Sequence, residues 1–277
     1  MSYIAGIVLF NPEIDRLVDN IEAIYKQVDK LLLVDNDSKN IEDVEKLAAN
    51  YANCILIKNK ENMGIAYALN QILGYAYENK YDWFLTLDQD SVCAENLIQV
   101  YEKYIEIPDI ATITSCVIDR NFVTEDDFLE DEDYRFVTYC ITSGALMNTE
   151  ICWKCGGWDE KLFIDNVDGD ICIKFKRKGY KVLSIHYNGI LHEVGHGRNV
   201  RFLWKKDIIY NHPANRQYYM ARNQIYVARK YPTEFNMCSQ LKKEIRKMLL
   251  VILFEENKIE KCRARIRGVR DGFKMGI

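Results

Sequence analysis

Trp83-Phe84-Leu85-Thr86-Leu87-Asp88-Gln89-Asp90-Ser91 is an apolar run that stops at two carboxylates one residue apart. A run broken only by Thr86 reads as a strand buried on both faces, and the acids stand where that strand meets solvent. The same unit recurs upstream. Tyr3 to Phe10 is a β-type run closed by Asn11-Pro12, after which Ile14, Leu17, Val18, Ile21 and Ile24 return at helical spacing. Leu31 to Val34 is a second run, ending in Asp35-Asn36-Asp37-Ser38 and followed by Val44, Leu47 and Ala48 on a short helix. Cys54 to Ile57 is a third, and Asn62-Met63-Gly64 opens a helix through Ala66, Leu69, Asn70, Ile72 and Leu73. Strands separated by helices imply an α/β fold, with a mostly parallel central sheet flanked by helices. Ligands of such sheets sit beyond the carboxyl ends of the strands, so the polar clusters converge on one edge.

The second half is less regular. Ile110 to Cys116 and Arg135 to Thr142 read as strands, the latter broken by Ser143-Gly144-Ala145. Residues 119–134 between them hold eight acids against one Arg, the composition of a solvated face or flap. A helix follows Asp165 and ends at Gly179, and Lys181 to Leu191 returns as a strand into His192.

With 277 residues the chain can bury a substantial core, as one large domain or a domain with an appendage. Its 48% hydrophobic and 28% charged residues are those of a folded globular protein, which excludes global disorder. The net charge of −4 hides an asymmetry: residues 241–277 carry +6, leaving −10 elsewhere. The acidic body and the lack of a recognisable binding module argue against nucleic acid as a partner. No stretch approaches the roughly 20 apolar residues of a spanning helix. The first apolar run breaks at Asn11-Pro12, so no signal peptide is expected, and the nine cysteines are read as reduced thiols in the cytoplasm. Cys152-Trp153-Lys154-Cys155 has zinc or redox spacing, but no second Cys/His pair accompanies it.

Asp88 and Asp90 can share a divalent cation through hard oxygen ligands, or simply serve a turn after a strand. In the later helix, Asp168, Ile171, Cys172 and Phe175 fall at i, i+3, i+4 and i+7. This spacing places Asp168 on the buried stripe near a cleft and leaves Asp170 exposed. Asp168 there can accept a proton, or Asp165 and Asp168 can cap the helix. His192 reads either as a structural histidine or as a contact to metal or phosphate. In the stretch Arg216 to Asn223, Tyr218, Tyr219 and Arg222 lie on adjacent faces of one helix, as a phosphate and sugar clamp or as a buried network.

From Ile7 to about Asn223 the chain resembles the family 2 inverting glycosyltransferases of GT-A (Rossmann-like) fold, most closely their bacterial rhamnosyltransferases. The resemblance is carried by Val34-Asp35-Asn36-Asp37-Ser38, Asn62-Met63-Gly64 with Asn70, Leu87-Asp88-Gln89-Asp90-Ser91, Gly157-Trp158-Asp159-Glu160 with Phe163-Ile164-Asp165, Val167-Asp168, Gly179-Tyr180, His192 to Gly195, and Arg222-Asn223, in that order. It implies a catalytic domain over 1–223, with a nucleotide-sugar half to about 115 and an acceptor half from about 116, and a basic helical extension over 224–277. Phe10, Asn11, Asp35, Asn36, Asn62, Gly64, Asp88 and Arg222 would bind the donor. Asp88, Asp90 and His192 would hold Mg²⁺ or Mn²⁺. Asp168 would be the general base, with Asp165 its rival, because Val167 stands where many relatives have Glu. The implied donor is dTDP-rhamnose, and the acceptor a saccharide or lipid-linked saccharide in cell-surface polysaccharide synthesis. A UDP-hexose donor, a catalytically silent sugar-nucleotide-binding subunit and a nucleotide hydrolase are the alternatives. Ile245, Met248, Leu249 and Ile252 recur at helical spacing among lysines and arginines. That helix either docks on the inner face of the cell membrane or packs on the catalytic domain.

Overall fold

The computed structural model describes residues 1–119, 132–192, 197–202 and 205–277, without the side chains of 119, 192, 202 and 205. The elements run β1 (Tyr3–Leu9), α1 (Ile14–Ile24), β2 (Lys30–Asp35), α2 (Ile41–Ala48), β3 (Cys54–Lys58), α3 (Ile65–Glu78) and β4 (Trp83–Asp88). There follow β5 (Val92–Cys93), α4 (Leu97–Tyr101), β6 (Ile110–Asp119), β7 (Tyr134–Val137), β8 (Ala145–Asn148), α5 (Thr149–Lys154), α6 (Val167–Arg177) and β9 (Lys181–His192). The chain continues with β10 (Arg198–Phe202), β11 (Lys205–Ile209), α7 (Ala214–Lys230), α8 (Met237–Phe254) and α9 (Lys258–Lys274).

The main sheet has the order β3-β2-β1-β4-β8-β6-β9-β5, with β7 on β9. β3, β2, β1 and β4 pair in parallel. Beyond β4 the sheet is mixed: β8 enters antiparallel between β4 and β6, β6 and β9 are parallel, and β5 and β7 run antiparallel to β9. Parallel neighbours need a long crossover, usually a helix, and the strict strand–helix alternation that supplies it ends at β4. The strand expected over Arg135 to Thr142 stops at Val137, and the expected break at Ser143-Gly144-Ala145 instead leads into β8 and α5. Gly144 makes this turn at φ +80°, and a Cβ there would lie 2.3 Å from Ile190. Only glycine suits both conditions. The acidic stretch lies largely outside the described residues, in 120–131.

Helices cover both faces of the parallel part. Leu17, Ile21 and Ile24 of α1 are buried with Ile7, Leu33 and Leu85 in one apolar cluster. Each such aliphatic side chain contributes roughly 1.5–3 kcal/mol relative to exposure. On the other face α3 approaches β1 so closely that a Cβ on Gly6 would meet Ile72 at 2.4 Å. The parallel register sets Leu9 beside Asp35, Val8 beside Asp88 and Asp35 beside Lys58. Four strand ends therefore share one edge, as the polar clusters in the sequence require.

Two compact units emerge: Met1–Lys161 with Val167–Glu193, and Leu162–Asn166 with Val194–Ile277. Position 223 lies inside α7, which belongs whole to the second unit together with α8 and α9. Within that unit α9 turns Ala264, Gly268 and Gly272 inward, and Cβ atoms on the glycines would sit 2.4 Å from the Tyr218 and Arg222 carbonyl oxygens of α7. Its interior is also ionic. Arg265, 1% exposed, donates to both carboxylate oxygens of Glu244 at 2.6 and 2.7 Å and to Gln217. Lys261 pairs with Glu255 at 2.8 Å, and Gln217 donates to Glu255 as well.

Candidate active site

Short polar segments at the strand ends hold one another in place. Asn11, in the left-handed region at φ 50°, donates its N–H to Ser38 Oγ at 2.8 Å and accepts from Lys39 N–H at 2.8 Å. Phe10 is exposed, and its N–H is held by Gln89 Oε1 at 2.8 Å, which ties the β1 end to the turn after β4. Asp35 is 1% exposed; Oδ2 accepts the Ser38 N–H at 2.9 Å, while Oδ1 is buried and has no hydrogen-bond partner among the described residues. Asn36, also buried, donates to Gly64 O and accepts from Asn59, which exchanges hydrogen bonds with Gln71. Asn62 Oδ1 accepts the Gly64 N–H at 2.9 Å, fixing the turn that starts α3. A buried acceptor with nothing to accept is costly in water-free surroundings, so Asp35 Oδ1 suits a ligand that brings an N–H.

Asp88 and Asp90 stand half-buried on the turn that follows β4, with Ser91 N–H bonded to Asp88 O at 3.1 Å. Asn20, wholly buried on the apolar side of α1, donates to the same carbonyl at 2.7 Å. The carboxylate pair offers the hard oxygens that Mg²⁺ or Mn²⁺ prefers. Among the described residues no three His, Cys, Asp or Glu side chains gather as a metal site. The donor set therefore fits a cation that completes its shell with ligand oxygens, such as those of a diphosphate. His192 ends β9, and its side chain lies outside the described residues.

A connection that the sequence reading missed joins these acids to α6. Asp88 N–H donates to Ser143 Oγ at 3.0 Å, and Ser143 Oγ lies 2.7 Å from Ser91 Oγ. The preceding residue, Thr142, accepts from Thr86 Oγ1 at its carbonyl and donates both N–H and Oγ1–H to Asp168 Oδ1, at 3.1 and 2.7 Å. Thr142-Ser143-Gly144 is thus a bridge from the β4 end to Asp168. The available signal was a hydroxyl pair before glycine between two apolar runs. Asp168 itself is half-buried, and Tyr139 borders it. Burial and then the Asp168 charge push the Tyr139 hydroxyl well above its ordinary range, so it stays protonated.

The expectation that Asp170 is exposed is overturned: it is fully buried and pairs with Lys174 at 3.2 Å. The buried arc of α6 is wider than the apolar stripe, and a lysine one turn on neutralises the acid within it. Lys174 also donates to Gly157 O at 2.6 Å. Gly157, at φ +54°, could carry no Cβ, because Asn70 Oδ1 would lie 2.4 Å away. Asn70 closes this corner by accepting the Trp158 N–H and donating to Trp158 O and Glu160.

In the second unit, residues 162–166 include three left-handed non-glycine residues, Phe163, Asp165 and Asn166. Such backbone persists only where its surroundings enforce it. The Asn223 amide donates to the carbonyls of Leu162, Ile164 and Asp165 at 2.7, 2.6 and 3.0 Å. Arg222 donates to Leu162 O at 2.9 Å and lies over the Tyr219 ring, which stacks on Phe163. Arg216 pairs with Asp165 at 3.3 Å. Here α7 holds a strained loop, and Arg222 contributes to that hold.

Residues 6–156 match the family model described as Glycosyl transferase family 2. The chain belongs to that family. A relative from Shigella flexneri, dTDP-rhamnosyl transferase RfbF, is 26% identical over 292 residues, covering 98% of this glycosyltransferase and 95% of the relative. Among solved structures, S. aureus TarS 1–349 in complex with UDP-GlcNAc superposes with a TM-score of 0.66 at 12% identity, over 97% of this chain and 82% of that one. The mannosyltransferase PcManGT from Pyrobaculum calidifontis, in complex with GDP-Man and Mn²⁺, gives 0.59 at 14% identity, over 99% and 76%. The transferase therefore has the GT-A fold that its resemblance implied.

Proposed function

We propose that this glycosyltransferase transfers L-rhamnose from dTDP-rhamnose, with inversion, to a saccharide or lipid-linked saccharide in cell-surface polysaccharide synthesis. The observation that carries the reaction is the Asp88–Ser143–Thr142–Asp168 connection, which ties a carboxylate suited to proton abstraction to the turn suited to a diphosphate. The donor rests on the nearly full-length match to dTDP-rhamnosyl transferase RfbF.

Asp35, with Asn11 and Asn36 beside it, receives the nucleotide base, and its unsatisfied Oδ1 accepts a base N–H. Phe10 borders the base and ribose, and the Asn62-Met63-Gly64 turn lines the same edge. Asp88 and Asp90, with His192 as a third candidate, would hold the divalent cation, which when bound offsets charge on the departing nucleotide diphosphate. Asp168 removes the proton of the acceptor hydroxyl. Thr142 aims the carboxylate by donating its N–H and its hydroxyl to Asp168 Oδ1. Asp165 is the weaker candidate, because Arg216 already engages it. The Mn²⁺-containing relative supports a metal in the family.

The test is turnover and binding across dTDP-rhamnose, UDP-hexoses and GDP-mannose with Mg²⁺ or Mn²⁺. Selective transfer from dTDP-rhamnose is expected. Selective use of a UDP-hexose would replace the donor, and hydrolysis indifferent to acceptor would replace transfer itself.

A further inference from the structure

Helices α8 and α9 carry their side chains the wrong way round for surface helices in water. The buried side of α8 holds Gln240 and Glu244 beside Leu250 and Val251. That of α9 holds Lys261 and Arg265 beside Ala264, Gly268 and Gly272. The large aliphatic residues point outward instead: Ile245, Leu249, Ile252 and Leu253 on α8, and Ile259, Ile266 and Phe273 on α9, are all 43–70% exposed. An ordinary amphipathic surface helix does the reverse. Of the stripe seen in the sequence, Ile245, Leu249 and Ile252 are thus exposed and Met248 is half-buried.

Cations stand among these apolar side chains. Lys242 and Lys243 on α8, and Arg263, Arg267 and Lys274 on α9, are exposed, in a segment that carries +6. At the start of α9, Lys258, Ile259, Arg263 and Arg267 line an open recess of about 880 Å³ in which Glu260 is the acidic member. We propose that the outward faces of α8 and α9 form a docking surface for a membrane with anionic headgroups. Aliphatic side chains would enter the boundary between headgroups and acyl chains. The lysines and arginines would meet the negative surface potential, and the recess would accept a phosphate-bearing headgroup. A second copy is the poorer occupant. A two-fold contact sets a patch against itself, and here it would oppose like charges. The inference depends on neither the donor nor the catalytic base.

Flotation of the full chain with vesicles of phosphatidylcholine alone, or of phosphatidylcholine with phosphatidylglycerol, tests it. Selective binding to the anionic vesicles is expected. Leu249→Glu with Ile252→Glu should abolish it. Lys258→Ala with Arg263→Ala should weaken it roughly 30-fold, two cations' worth of surface attraction. All four residues are exposed, so thermal melting should be unchanged in both variants. Three results would overturn the proposal: no binding to anionic vesicles, equal binding to neutral ones, or a solution dimer that does not bind vesicles and is dispersed by the α8 variant.

Discussion

At the scale of single residues, the roles of Asp168 and Thr142 separate experimentally. Asp168→Asn keeps the shape and loses the proton acceptor. Transfer should fall by about 10²–10⁴-fold, the usual worth of a general base, while donor binding measured by calorimetry stays near wild type. Normal turnover would return the role to Asp165. Thr142→Val removes the hydroxyl donated to Asp168 at 2.7 Å and retains the backbone N–H. A roughly tenfold loss in kcat with little change in donor KM is expected, as for one hydrogen bond to a charged group. Asp88 and Asp90 were legible as a strand-end pair and Asp168 as an inward helix position. Thr142, Ser143 and Asn20 were not, because their importance lies in partners 26, 55 and 68 residues away.

Among elements, the seam between α7 and α9 is governed by backbone approach. A Cβ at Gly268 would lie 2.4 Å from the Tyr218 carbonyl oxygen, a backbone atom that cannot rotate aside. Gly268→Val should separate the helices and cost about 1–3 kcal/mol or more, seen as a lower melting temperature. Gly74, inside α3, is the contrasting case, since a Cβ there meets nothing within 4 Å. Gly74→Ala should stabilise by roughly 0.4–1 kcal/mol through the unfolded chain. The first four strands were readable because each is a continuous apolar run between helices. β8 was missed because four residues after a glycine turn carry too little pattern, and it acquires its place only by pairing with β4 and β6.

For the molecule as a whole, the buried charges of the second unit set the largest expected stability effect. Glu244→Leu leaves Arg265, 1% exposed, without its carboxylate. A loss of about 3–5 kcal/mol is expected in denaturant titration, whereas Glu244→Leu combined with Arg265→Met should recover most of it. No helix among the described residues is long and apolar enough to cross a membrane.

The sequence by itself determined the strand–helix alternation, the edge on which Asp35 and Asp88 stand, and the family. The first two follow from local periodicity and from polar residues placed directly after apolar runs, and the family from the resemblance of its ordered motifs; none of these needs knowledge of distant contacts. Tertiary structure alone decided that Asp170 is buried beside Lys174, that Thr142-Ser143 connects Asp88 to Asp168, and that Arg222 and Asn223 hold the loop at 162–166. It also decided which side of α8 faces inward. A helical stripe specifies that two faces differ, but the neighbours available to pair with Glu244 and Lys247 determine which face is buried.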